Sequence, residues 1–373
     1  MKVICNRAAL LEAISIAGTV VPARSPKPVL SCVKLAAAED KLTISGTDLE
    51  VSVRFTDAQV QIDQPGETLV QADKLRDIVR ESTDDTLSLS VEGSEMHVRG
   101  ADSHFKIFTQ NASEFPPMPE PAEGASEYEI AAGTLKGLIN QTLFATSKEG
   151  TRYAFNGVLV AIEKNQIIMV ATDGRRLAQS RGELTRSAPR KADDKAAKPN
   201  HIIPAKSLGL VDKLLGNAED TVLITLGDNQ ATFSTADATL TTNLLEGQFP
   251  PYEEVIPKEA DKKMLAGTAD LLSAVRRAAL LTAEDSKGVR MEFTKKGLTL
   301  TSRNPEQGEA KVDFACKFDG GDVTIGFNPT FLGDALKVVD SDEVSFELTA
   351  PNRPGLLKSG NNFVYVIMPV NLQ

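Results

Sequence analysis

Val170-Ala171-Thr172-Asp173-Gly174-Arg175-Arg176-Leu177-Ala178 decides how this chain is read. The run Gln166-Ile167-Ile168-Met169-Val170-Ala171 enters it as a strand. Asp173-Gly174 makes the turn, because Gly reaches positive φ cheaply and Asp bonds to nearby backbone. A second run leaves through Leu177 and Ala178. The same unit occurs earlier as Leu42-Thr43-Ile44-Ser45-Gly46-Thr47-Asp48-Leu49-Glu50-Val51. A looser copy is Leu298-Thr299-Leu300-Thr301-Ser302-Arg303-Asn304-Pro305-Glu306. The chain therefore reads as three copies of one module, with two arginines at the turn of the middle copy.

A length of 373 residues sets two or three domains as the expectation. No apolar run reaches the ~18 residues of a membrane span. Met1-Lys2-Val3-Ile4-Cys5 opens directly into a strand pattern with no signal peptide, so a cytoplasmic location is expected. Cys5, Cys32 and Cys316 are odd in number and set among apolar neighbours, which favours buried thiols over disulfides. His97, His104 and His201 are scattered, and no metal-ligand spacing appears, so neither metal nor cofactor is expected.

Each module reads as a strand, a helix, a run of strands, a second helix and more strands. First helices are predicted over 7–21, 133–148 and 268–282, and second helices over 72–82, 205–217 and 328–339. Leu10, Ile14, Ala17 and Val21 line the first at helical spacing. Leu75, Ile78 and Val79 line the second. Thr268 is expected to cap its helix, and Asn328-Pro329 to supply a cap and a first-turn proline. Phe115-Pro116-Pro117-Met118-Pro119-Glu120-Pro121-Ala122-Glu123-Gly124 reads as a linker, and Phe249-Pro250-Pro251-Tyr252 echoes its start. The polar run Arg186 to Lys195 is expected to be a mobile loop. A spacing near 130 residues is too long for a solenoid, so three tandem domains of one fold follow: 1–124, 125–260 and 261–373. The fold class is α+β, each domain having two helices packed on a curled antiparallel sheet.

The formal charge of −10 argues against a generic nucleic-acid binder. Its distribution argues otherwise. The six predicted helices hold eleven Lys and Arg against seven Asp and Glu, a net +4, so the remainder carries −14. This fits one basic helical surface that touches phosphates without reading bases. Enzyme signatures are missing: no Walker A loop, no dinucleotide fingerprint and no Gly-x-Ser-x-Gly elbow. Asp48 and Asp173 sit where turn hydrogen bonding explains them better than catalysis.

Six motifs in order resemble one family. They are Gly46-Thr47-Asp48-Leu49-Glu50, Arg152-Tyr153 with Asn156-Gly157, and Ala171-Thr172-Asp173-Gly174 with Arg176-Leu177. Asn304-Pro305-Glu306-Gln307, Gly326-Phe327-Asn328 and Val366-Ile367-Met368-Pro369-Val370 complete the set. From end to end the sequence resembles the bacterial DNA polymerase III β subunit, the sliding clamp. The resemblance implies a non-catalytic processivity factor: a head-to-tail homodimeric ring of six similar domains, with helices lining a hole that encircles duplex DNA. It implies partners that dock short linear motifs, namely the polymerase III catalytic subunit, the clamp loader, other polymerases and repair proteins.

Carried over residue by residue, the resemblance places a peptide pocket between the second and third modules. Its matching positions are Phe155, Thr172, Gly174, Arg175, Arg176, Leu177, Pro250, Val255, Asn328, Phe331, Pro354, Val366, Ile367, Met368, Pro369 and Val370. Arg176 and backbone groups would orient the peptide. Glu254, Ser286 and Asn371 depart from the familiar pattern, which bears on peptide preference. Ring closure would set Phe105 and Ile107 against Leu280 and Leu281, with Lys74, Arg99 and Lys106 facing Glu306 and Glu309. DNA would meet Arg24, Lys74, Tyr153 and Lys206, with Lys148 standing in where Glu149 replaces a neutral amide.

Two alternatives stay open. A tandem β-rich binding or adhesion protein would carry an export signal. A metal-dependent DNA enzyme would need converging carboxylates, and the acidic residues here are dispersed.

Overall fold

The computed structural model describes every residue except 58, 122–123, 150–152, 190–200, 283–287 and 372–373. Among the described residues the chain runs through one strand, a helix, five strands, a helix and three strands, and does so three times. The first round contains α1 (Arg7–Gly18) and α2 (Ala72–Glu81), and the second α3 (Ala132–Leu143) and α4 (Ala205–Leu214). A single turn, α5 (Tyr252–Val255), precedes the third round, which holds α6 (Thr268–Ala279) and α7 (Pro329–Lys337). Sequence reasoning did not anticipate α5.

The pairing rule repeats with the order. In each round the first strand pairs antiparallel with the fifth and the seventh. The second strand pairs antiparallel with the third and the sixth. The chain divides into two compact units, one of residues 1–133, 185–197 and 206–244, the other of 134–184, 198–205 and 245–373. The first unit carries a 14-stranded sheet; the second carries a nine-stranded and a four-stranded sheet.

Helix faces follow the predicted spacing, while helix ends differ from it. In α1, Leu10, Ala13, Ile14 and Ala17 are buried, and the Asn6 side chain accepts the Ala9 N–H at the N-terminus. The helix stops at Gly18, so the 3.6-residue period lapses and Val20, not Val21, is the buried residue beyond it. α3 ends at Leu143, five residues before the expected end at Lys148. There the Thr142 hydroxyl bonds back to the Leu138 carbonyl, and the Ser147 N–H turns away to the Phe155 carbonyl.

Thr268 does not cap α6. Gly267 occupies that place, and the Thr268 hydroxyl donates instead to the Ser341 carbonyl, 2.6 Å away. Asn328 does cap α7, accepting the Thr330 N–H ahead of Pro329. Arg186–Ala188, expected in a loop, forms a strand against Ser126–Ala131, held by an Arg186–Glu129 ion pair. Its remaining residues from Arg190 lie outside the described residues.

α1 lies hard against strand Lys41–Thr47. A Cβ on Gly46 would stand 2.3 Å from the Ala17 carbonyl oxygen, so glycine alone permits this approach. Cys5 and Cys32 are buried and lie outside any disulfide, while Cys316 is only half-buried. No helix among the described residues is long and apolar enough to cross a membrane.

Candidate functional site

The Thr172–Arg176 turn is a closed set of hydrogen bonds. Thr172 Oγ1 donates to the Arg176 carbonyl and accepts the Gly174 N–H. Asp173 Oδ1 accepts the N–H groups of Arg175 and Arg176. Gly174 has φ +87°, the left-handed value that favours glycine. Asp173 is thus a turn-former, as its position suggested.

Arg176 joins this turn to α7. Its Nε donates to Asp173 Oδ2 at 2.9 Å, Nη1 to Asp334 Oδ2 at 3.0 Å, and Nη2 to the Phe144 carbonyl at 2.8 Å. The guanidinium lies 4.4 Å from the Phe331 ring centroid and 5.4 Å from that of Phe144. Burial opposes its charge, but the carboxylates of Asp334 and Asp173 outweigh burial and raise its pKa. Burial also pushes the Tyr365 hydroxyl upward, so that group stays protonated and donates to the Phe331 carbonyl. With these donors committed internally, Arg176 is a strut that positions the site. Sequence reasoning had given it a direct orienting role, and it missed Phe144, Asp334 and Tyr365.

Strand Arg176–Glu183 pairs antiparallel with Phe363–Ile367, placing Leu177 opposite Val366 and Arg176 opposite Ile367. The Met368 N–H bonds to the Arg175 carbonyl, and the Val370 N–H to that of Gly326. Leu177 and Val366 enter one apolar cluster with Tyr252 and Leu356, against which Phe249 and Ile256 pack. Above this floor Met368 and Val255 are exposed, at 41% and 44%. A neighbouring cavity of about 710 Å³ is lined by Lys148, Glu149, Gly174, Arg175, Phe331 and Asp334, among others. The structure thus unites Thr172, Gly174, Arg175, Arg176, Leu177, Phe331, Val366, Ile367 and Met368. Asn328 serves as the cap of α7, and the Phe155 carbonyl holds the loop after α3. Pro250, Pro354 and Pro369 are half-buried. The outcome is an apolar floor with a fixed polar rim, suited to aliphatic anchors of a short peptide.

Of the expected DNA contacts, Arg24, Lys74 and Lys148 are exposed. Lys148 sits in a loop, because α3 ends at Leu143. Lys206 is ion-paired with Asp48, which reduces the charge it can offer a phosphate. Arg152, the side chain of Tyr153 and Ser286 lie outside the described residues.

Of the expected contact residues for a second copy, Phe105 is 39% and Leu280 76% exposed, and Arg99, Glu306 and Glu309 are exposed too. Ile107 packs partly into its own core, and Leu281 is half-buried. Lys106 pairs with Glu95 at 3.3 Å. Phe108, which sequence reasoning missed, is 80% exposed and lines a hollow with Lys74 and Lys106. The scattered His97 and His104 prove to be stacked partners, Nδ1 to Nε2 at 2.9 Å. No cluster of three metal-ligating side chains occurs among the described residues.

Three family models match the chain in sequence. The N-terminal domain of the DNA polymerase III beta subunit matches residues 1–119, the central domain 129–251 and the C-terminal domain 253–371. The beta sliding clamp of Pseudomonas aeruginosa is 33% identical, covering 98% of this chain and 99% of that protein. That of Escherichia coli K12 is 31% identical over all of both chains. A crystal structure of the P. aeruginosa clamp bound to griselimycin superposes with a TM-score of 0.94 at 32% identity, and the Bacillus subtilis clamp with 0.93 at 27%. Both cover the whole of each chain. This chain belongs to the DNA polymerase III beta-subunit family, the sliding clamps.

Proposed function

We propose that this DNA polymerase processivity factor works as a head-to-tail homodimeric ring around duplex DNA. One observation carries the reading. The fourth strand of module one, Val51–Asp57, pairs with the ninth of module two, Ala238–Asn243. The fourth of module two, Arg176–Glu183, pairs in the same way with the ninth of module three, Phe363–Ile367. The rule leaves one strand of each kind over. In module three, the fourth strand Gly308–Phe314 is the edge of its sheet. In module one, the ninth strand His104–Gln110 pairs on its outer side only through Thr109 and Gln110, leaving 104–108 open among the described residues. A second copy completes both edges and closes the assembly.

Domain boundaries fall near 1–124, 125–260 and 261–373. Holding by enclosure lets phosphate contacts from Arg24, Lys74, Lys148, Tyr153 and Lys206 stay weak and sequence-independent, so the ring slides. The pocket floored by Leu177 and Val366 and rimmed by Met368 docks linear motifs of polymerases, loader and repair proteins. The chain is non-catalytic and works in the bacterial cytoplasm. The test is retention on loaded circular DNA during gel filtration. Release on linearisation is expected; protein that stays on the linear form, or never stays on the circle, overturns the reading.

A further inference from the structure

The turn that builds the peptide pocket has a bond-for-bond copy at Thr47–Val51. Thr47 Oγ1 donates to the Val51 carbonyl and accepts the Leu49 N–H, as Thr172 does with Arg176 and Gly174. Asp48 Oδ1 accepts the N–H groups of Glu50 and Val51, as Asp173 does for Arg175 and Arg176. The Asn243 N–H bonds to the Glu50 carbonyl, matching Met368 and Arg175. Sheet pairing then aligns Ser52 with Leu177 and Thr241 with Val366.

The copy has kept the scaffold and changed the lining. Its floor is polar: Thr47, Ser52 and Thr241 are each under 10% exposed. The hollow, about 140 Å³, is walled by Pro116 and Pro117 and edged by Gln230 and Asn243. Among the described residues Glu50 is the one charged side chain lining it, and neighbouring Arg54 is bound to Glu120. Where the pocket has Gly174, the copy has Leu49 at φ +77°. A leucine adopts that conformation at a cost that glycine avoids. Its side chain recovers little of this by burial, being 52% exposed. Leu49 is thus held strained with its apolar side chain turned out beside the hollow.

We propose that this groove is a second docking site, for a short extended basic segment of a partner protein. Acceptor groups on the floor and Glu50 receive its Lys or Arg side chains, while Leu49 and the prolines hold one apolar residue between them. The floor hydroxyls are paired within the chain, Thr47 with Ser52 and Thr241 with Thr232, so Glu50 makes the distinction: an apolar motif of the kind the Leu177–Val366 pocket suits would leave its charge unanswered. DNA is repelled by Glu50.

The test is fluorescence anisotropy on the full-length protein with labelled Gly-Ser-Lys-Leu-Lys-Ser-Gly, and with the same peptide carrying Glu for Lys. Saturable binding of the lysine peptide alone is expected. Leu49→Gly and Glu50→Lys should each weaken it at least tenfold, and Met368→Ala should leave it unchanged. Leu49→Gly relieves the backbone, so its melting temperature should hold or rise, separating lost binding from lost folding. No saturable binding, equal binding of the glutamate peptide, or indifference to Leu49→Gly overturns the proposal. Loss on Met368→Ala also overturns it, by assigning the probe to the other pocket without harming that pocket's own reading.

Discussion

Arg176 shows how one side chain can set the shape of a site. It offers its donors to two carboxylates and a carbonyl while stacking on Phe331. Lys337 offsets the second carboxylate through Asp334 Oδ1. Arg176→Met would leave Asp173 without its counter-charge and Asp334 with Lys337 alone, in a partly buried setting. Breaking a buried pair costs roughly 3–5 kcal/mol, and partial exposure here brings the expectation to about 2–3 kcal/mol in urea unfolding. Arg176→Lys should lose about half as much, since lysine keeps the charge and loses the fork and the stacking. Equal stability of Arg176→Met and the parent would refute the strut.

Asp48 gives the acid limb of stability. Burial raises its pKa, but the Lys206 ammonium and the Val51 and Glu50 N–H groups outweigh this and hold the carboxyl below its ordinary value. A depressed folded pKa means the stabilisation is complete above the unfolded pKa and is lost as pH falls through the folded one. Melts recorded downward through the ordinary carboxylate range should therefore show a steeper loss in the parent than in Asp48→Asn, the two curves converging once the folded carboxyl is itself protonated. Parallel curves would show that the Lys206 pair contributes nothing.

At the scale of elements, close approach matters more than propensity. Gly46→Val would drive α1 off strand Lys41–Thr47, because its Cβ would meet the Ala17 carbonyl and the Val21 side chain, the former at 2.3 Å. Overpacking typically costs 1–3 kcal/mol, and about 3 is expected here, since the obstacle is backbone. Calorimetry should show a lower melting temperature; an unchanged one would mean that α1 can shift freely.

The elements also show what the sequence made legible. Six helices lay open to periodicity, and the threefold order to the repeated turn, because both are written in local spacing. Helix ends were not. α3 stops where the loop after Leu143 bonds to Phe155, and Thr268 turns to the Ser341 carbonyl, contacts made far along the chain. Asp334 was invisible as a site residue because it lies 158 positions from Arg176. Phe108 was passed over because strand alternation puts it with Lys106, away from Phe105 and Ile107.

For the whole molecule the decisive property is that its two free edges differ. A dimer closed by unlike edges is heterologous, so each of its two contacts joins the module-one edge of one copy to the module-three edge of the other. Phe108→Arg in one variant and Leu280→Lys with Leu281→Lys in another each damage both contacts of their own dimer. Each alone should sediment as a monomer, the exposed apolar side chains carrying the affinity while rim ion pairs add only ~0–1 kcal/mol. Mixed in equal amounts, they behave differently. The intact module-one edge of the second variant meets the intact module-three edge of the first, so one contact is whole and the other doubly damaged. The mixture should sediment as a dimer yet fail to stay on circular DNA, because one contact joins two chains without enclosing anything. If each edge instead paired with its own kind, no such asymmetry would appear: mixing would restore no dimer beyond what the separate variants form, and the head-to-tail ring would fall.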